Sequence, residues 1–153
     1  MAGENVAVVE AIVEAMNEGD LDRVIAQIDP DEFELDYSRS LSPDLTGVHH
    51  GHRAIRRFLE ELVEPWEEFE LIADKFIEVG DHVILVSHTR NHGRGSGVEV
   101  VARGAALYEF RGGRLVAWRL FQGEEEALAA VGSSEQTRPP EPSEATRRRR
   151  EGE

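Results

Sequence analysis

Cysteine is absent from this chain of 153 residues, which excludes disulfides, thiolate metal sites and cysteine nucleophilic catalysis. Lysine is almost absent as well: Lys75 stands alone among 17 basic residues, and the arginine preference has no evident physical cause. No window approaches the roughly 18 apolar residues of a membrane span. The opening Met1-Ala2-Gly3-Glu4-Asn5 runs into an acidic amphipathic segment, without the basic and then apolar regions of a signal peptide. A soluble, cytoplasmic protein with no membrane partner is expected. Positive charge is scarce too, with 31 acidic residues giving a net charge of −14. That sign opposes phosphate neutralisation and argues against nucleic acid as a partner. The one basic block, Arg147–Arg150, sits in a segment from Ser133 onward that holds five arginines and five glutamates. The net charge therefore belongs to residues 1–132.

What is present is enough apolar material, 40% of residues, for one globular domain with a full core. Val6, Val9, Ile12, Val13 and Met16 fall at helical spacing, opposite Glu4, Glu10, Glu14 and Glu18. Gly19 ends that helix, and Asp20 is placed to cap a second one built on Leu21, Val24, Ile25 and Ile28. Asp29-Pro30 closes it, because the residue before proline is pushed out of the α region. Phe33, Leu35 and Tyr37 then alternate with Glu34 and Asp36 at a strand period. Residues 38–50 read as a loop. A third helix follows with Ile55, Phe58, Leu59 and Leu62 on one side, ending before Pro65.

From Glu68 the period changes to that of strands, over 68–79, 82–92, 98–111 and 114–122, divided by glycine-containing turns. A short helix over 124–131 is expected next. After Gly132 the chain has three prolines and no apolar periodicity, so 133–153 reads as a disordered, dispensable tail beside a domain of 1–132. Helices first and antiparallel strands afterwards define an α+β fold, with the helices on the concave face of a curved sheet. Such a sheet, closed at one end, makes a conical apolar pocket.

Three stretches together carry a family resemblance. "VEAMNEGDLDRVIAQIDPDEFELD", "GHRAIRRFLEEL" and "GRGSGVEVVARGAALYEFRGGRLVAWRLFQGEEEAL" resemble, in order, the first helices and strand, the third helix, and the last strands and terminal helix of the SnoaL-like branch of the nuclear transport factor 2-like superfamily. The likeness covers about residues 4 to 132. It implies a cystatin-like α+β barrel and a small-molecule pocket that works without a cofactor. The superfamily contains ketosteroid isomerases, polyketide cyclases, scytalone dehydratase and limonene-epoxide hydrolase, as well as modules that only bind. The function therefore has to be read from the residues lining the pocket.

The resemblance places the family's catalytic aspartate on Asp36, in "FELDYS". Aspartate is also common at strand ends because it forms turns, so the position admits either reading. The enolate-binding donors are missing: by the same register the helix tyrosine is replaced by Ile12 and the protonated acid by Ala106. One such donor contributes about 3–4 kcal/mol of transition-state stabilisation, so steroid isomerisation by the family's mechanism is not expected.

On strand 98–111 the even set, Val98, Val100, Ala102, Gly104, Ala106, Tyr108 and Phe110, is apolar apart from one hydroxyl and should face the cone. By the resemblance Trp118, Leu120 and Gln122 join it from the last strand. Small Gly104 and Ala106 opposite Trp118 leave room for a ligand or simply accommodate the indole. Strand 82–92 places His82, His88, Arg90 and His92 on one face. If that face looks inward, His88 is an acid/base candidate with a pKa suited to neutral pH. A slip of one residue in the following hairpin turns it outward.

"GVHHGHRAI" packs His49, His50 and His52 into four positions. Adjacent histidines point apart in an extended segment, and no His-x-x-x-His pair follows, so a metal site is not expected. Gly51 with Ala54-Ile55 reads as the entry to the third helix.

The expected site is one apolar cavity holding Asp36 as base with His88 near its mouth. Tyr108, Trp118, Leu120 and Ala106 line it from the sheet, Phe58 and Leu62 from the third helix, and Ile12 and Met16 from the first. Its ligand is a small apolar or ring-containing molecule, and the alternative to an enzyme is a non-catalytic binding or dimerising module. A homodimer is expected, because relatives pair through the outer sheet face and Val101, Ala105, Leu107 and Phe121 look apolar enough to need cover.

Overall fold

The computed structural model describes residues 3–39 and 46–136. Its elements run α1 Glu4–Glu18, α2 Leu21–Ala26, β1 Glu34–Asp36, β2 Val48–His50, α3 His52–Val63, β3 Trp66–Val79, β4 His82–Gly93, β5 Glu99–Arg111, β6 Arg114–Phe121 and α4 Glu124–Gln136. One six-stranded sheet has the order β2-β1-β6-β5-β4-β3. The pair β1–β6 is parallel, and the long strands from β3 to β6 form an antiparallel meander.

The helices end where local chemistry ends them. Gly19 takes φ 72°, and its N–H bonds back to the carbonyls of Ala15 and Met16, the left-handed close that glycine adopts without a Cβ penalty. The Asp20 carboxylate then accepts the N–H of Arg23 at the start of α2. Asp29 fixes the exit of α2 by accepting the N–H groups of Asp31 and Glu32 and pairing with Arg114 at 2.6 Å. These bonds hold its pKa down at about 2, the Arg114 hydrogen bond contributing most.

Helices α1, α2 and α3 cover the concave face. Val9, Ile12, Val24, Ile55, Phe58 and Leu59 pack there against Leu35, Val83, Leu85, Tyr108 and Trp118. A second apolar cluster lies on the convex face, where Ala127 and Val131 of α4 cover Ile84, Ala105, Leu107 and Phe121. The two clusters take alternate residues of the same strands, as a pleat with period two requires.

Bulges bend the sheet and reset this alternation. In β3 the register slips between Ala73 and Lys75. Phe69 and Leu71 therefore share the concave side with Phe76 instead of Ile77, which packs on the convex cluster. A slip opposite Glu109 and Phe110 does the same in β6. Extra residues of this kind raise local twist and curvature.

Several expectations need correction. The stretch 38–50 is not all loop, because Val48–His50 pairs antiparallel with β1. Helix α4 continues to Gln136, past the expected stop at 131 and into the segment read as tail; residues 137–153 lie outside the described residues. Ala105, Leu107 and Phe121 are not free on the outer face: α4 buries them, leaving Val101 of that set exposed. The apolar argument for a dimer thus loses three of its four residues.

Candidate functional site

Between the concave face and α1 and α3 lies an elongated cavity of about 320 Å³. Its closed end is aromatic. Tyr108 and Trp118 are cross-strand partners on β5 and β6, their rings 5.1 Å apart. Tyr37, just past β1, meets Phe58 of α3 edge-on at 4.6 Å. Met16 and Leu62 close the helical side, and Trp66, Phe69 and Leu71 form the wall on β3. On β5, Ala102, Gly104 and Ala106 contribute almost no side-chain volume, which is where the space comes from. The remaining wall is β4, where Ser87, Thr89 and Asn91 follow Leu85 at alternate positions.

Burial governs the electrostatics. It pushes the Tyr37 phenol up to about 12, and burial together with nearby Tyr37 pushes Tyr108 well above its ordinary value. Both phenols are therefore neutral donors at any physiological pH. Both residues line the cavity, and neither hydroxyl is hydrogen-bonded to another described residue. The Trp118 indole N–H beside them is also buried without a partner. No carboxylate lines the cavity among the described residues.

The structure brings together Met16, Leu62, Ala106, Tyr108, Trp118 and Leu120 on this cavity. It does not bring the other expected residues. Ile12 is fully buried in the core behind the wall, and Phe58 lies between Tyr37 and His49, positioning the tyrosine instead of lining the space. Val98 and Val100 extend into solvent at 60% and 40% exposure, and Gln122 is exposed past the end of β6.

Asp36 is on the opposite face. Leu35 points into the core, so its neighbour Asp36 points out, where its carboxylate accepts both the N–H and the hydroxyl of Ser38 at 2.9 and 2.6 Å. That is the turn-forming reading of aspartate. It borders a charged surface groove with Glu32, Glu34, Glu109, Arg111 and Arg119. His88 is also outside. Val83 and Leu85 face the core while Ile84 faces α4, so His88 falls on the convex side, paired with the bulge residue Asp74 at 2.9 Å.

"GVHHGHRAI" is the entry to α3. Gly51 takes φ 87° and ψ 147°, and its carbonyl accepts the Ile55 N–H at 3.0 Å. His49 lies 3.0 Å from the Thr46 carbonyl, and His50 is 4.0 Å from Glu34 across the strand pair. Among the described residues no three His, Asp or Glu side chains are grouped to hold a metal ion.

Tyr37 is the residue that sequence reasoning missed. The alternation Phe33, Leu35, Tyr37 already placed it inward, but the aspartate beside it drew the functional assignment. Ser87, Thr89 and Asn91 were missed with it, because the opposite face of β4 carries the histidines.

A mixed sheet curled around an apolar cavity, with three helices across its mouth and a fourth behind it, defines the nuclear transport factor 2-like, cystatin-like class of fold. The sequence model of the SnoaL-like domain matches residues 9–118, and the chain belongs to that family. Solved structures agree on the fold. A protein of unknown function from Burkholderia pseudomallei, of the same fold, matches with TM-score 0.70 and 24% identity, over 83% of this chain and 96% of its own. TerC, co-crystallized with polyporic acid, matches with TM-score 0.69 and 18% identity, over 84% and 98%. A hypothetical protein with a ketosteroid isomerase-like fold from Catenulispora acidiphila, in complex with trimethylamine, matches with TM-score 0.64 and 17% identity, over 82% and 92%. No curated protein matches the chain. Among the described residues no helix is long and apolar enough to cross a membrane.

Proposed function

We propose that the protein binds a small ring-containing molecule in the concave cavity, holding a hydrogen-bond acceptor of the ligand, such as a ketone oxygen, against Tyr37 and Tyr108. One observation carries this reading: two neutral phenols stand without internal partners at the closed end of an apolar space. A neutral hydrogen bond to such a hydroxyl is worth about 0.5–1.5 kcal/mol net, so a ligand acceptor that reaches it gains affinity and is fixed in orientation. Apolar and aromatic walls supply non-directional affinity and the hydroxyls fix orientation, the usual division in ligand pockets.

The role is binding rather than proton abstraction. A phenol raised to about 12 donates but does not act as a base near neutrality, and the carboxylate candidate Asp36 faces away from the cavity. Polarising a carbonyl is within reach of the two hydroxyls; removing an adjacent proton requires a base that this wall does not supply.

Trp66 and Trp118, the two tryptophans of the chain, both line the cavity, so intrinsic fluorescence reports occupancy. The test is titration with para-acetylbiphenyl and with para-isopropenylbiphenyl, in which a methylene replaces the ketone oxygen. Polyporic acid joins the series as the ligand of a protein of the same fold. The ketone should bind about 3- to 10-fold tighter than its isostere, the range expected for one neutral hydrogen bond. Tyr108→Phe should erase most of that difference. Equal binding of ketone and isostere, or no binding of either, contradicts the proposal.

A further inference from the structure

The β4 wall of the cavity carries a polar group that the tyrosine end does not use. Asn91 is only 5% exposed. Its amide N–H donates to the Thr89 hydroxyl at 3.3 Å, a long bond, and its carbonyl oxygen is buried with no partner. It lies opposite Phe69 on β3 and Val100 on β5. Six residues separate it from Leu85 near the aromatic end, which at about 3.4 Å each is roughly 20 Å along the strand. The cavity thus has phenol donors at one end and, in the wall toward the other, a residue whose buried carbonyl oxygen lacks a donor.

We propose that Asn91 is a second polar anchor, selecting ring ligands that carry an O–H or N–H donor at the end remote from the acceptor held by Tyr37 and Tyr108. This rests on the binding role proposed above and narrows its ligand class to elongated molecules, acceptor at one end and donor at the other. Burying an amide carbonyl unpaired is costly on the same scale as leaving a phenol unpaired. Asn91 lines the cavity wall, and its oxygen meets the ligand's donor through rotation of the side chain on binding. The Thr89 contact engages one of the two amide N–H groups and leaves the carbonyl oxygen unpaired.

The test compares 4-acetyl-para-terphenyl, which with a hydrogen bond at each end spans about 20 Å, with two derivatives substituted at the far para position, one with a hydroxyl and one with a methoxy group. The hydroxyl derivative should bind wild type about fivefold tighter than the parent ketone, and the methoxy derivative no tighter than the parent. In Asn91→Leu the affinity ratio of hydroxyl derivative to parent ketone should fall to about one. Thermal unfolding of Asn91→Leu without ligand accompanies the titration, and its Tm should be at or above that of wild type because a buried unpaired oxygen is gone. Asn91→Ser, which retains a polar group too short to reach, should lose the hydroxyl advantage in the same way. A hydroxyl advantage that survives both substitutions, or a preference for methoxy over hydroxyl, overturns the assignment of Asn91. Tyrosine-dependent binding of the ketone with no hydroxyl advantage overturns this inference alone. Failure of the terphenyl ketone where para-acetylbiphenyl binds overturns this inference alone, and failure of both ketones overturns both.

Discussion

The two faces of one sheet have divided the chemistry between them. On the convex side lie the ionisable groups: His88 with Asp74, Lys75 with Glu124, and the groove where Arg119 meets Glu109 and Arg111 meets Glu32. On the concave side, the cavity lining from the same strands is aromatic, aliphatic, small, or polar but uncharged, with Arg103 its one ionisable residue among those described. The convex face ties its exposed charges into ion pairs, although His82 is buried there with neither ring nitrogen hydrogen-bonded, whereas the concave face leaves the neutral groups of Trp118 and Asn91 unpaired on a cavity wall. Neutral polar groups left unpaired on the wall of a cavity are placed for a ligand that arrives from outside.

The largest expected effect separates the faces by stability. Leu107→Ala, beneath α4 in the convex cluster, should cost about 3 kcal/mol in urea denaturation, the middle of the range for a fully buried leucine. Affinity of the remaining folded protein for para-acetylbiphenyl should not change. A loss of binding beyond the loss of folded protein would mean that the faces are coupled.

The second effect runs the other way. Ala106→Leu extends a side chain into the cavity. It should weaken the ketone more than tenfold while changing stability by less than about 1.5 kcal/mol, because the added methyl groups enter empty space instead of a packed core. A variant that fails to fold would show that the cavity is not free volume.

Smaller effects follow from titration. With the Tyr37 phenol near 12, ketone affinity should stay flat from neutrality to about pH 10. Because its folded pKa lies above the ordinary 10, the stabilisation linked to the neutral phenol is complete below pH 10 and lost as pH rises through the folded value. Asp29, lowered from 3.8 to about 2, gives the opposite sign: its stabilisation is present above the ordinary value and lost as pH falls toward 2. Asp29→Asn should flatten acid unfolding in that window without touching binding. Least of all, Asp36→Asn should leave ketone affinity within twofold of wild type. A large loss would return the carboxylate to the site.

These expectations differ from what the sequence suggests at particular residues. The curved α+β sheet with α1–α3 on its concave face was legible because apolar period, glycine stops and the Asp20 cap all agreed. The inward set on β5 was legible from Gly104 to Phe110 for the same reason. Strand β4 was not, since "HVILVSHTRNH" offers apolar residues on both faces and periodicity alone cannot choose between His88 and Ser87. The structure chooses by supplying a fourth helix whose apolar residues need Ile84. Asp36 was expected in the cavity because register was carried over from the family, while the alternation of Leu35 and Tyr37 in this chain turns its carboxylate to the other face. Strand β2 escaped notice because three residues are too few to show a period.

The most direct test of the division is a crystal structure of the protein with para-acetylbiphenyl. The ketone oxygen should lie within hydrogen-bond distance of the Tyr37 or Tyr108 hydroxyl, with the far ring pointing along β4 toward Asn91. A ligand found instead in the charged groove beside Asp36 and Glu109, with the concave cavity empty, would contradict the account.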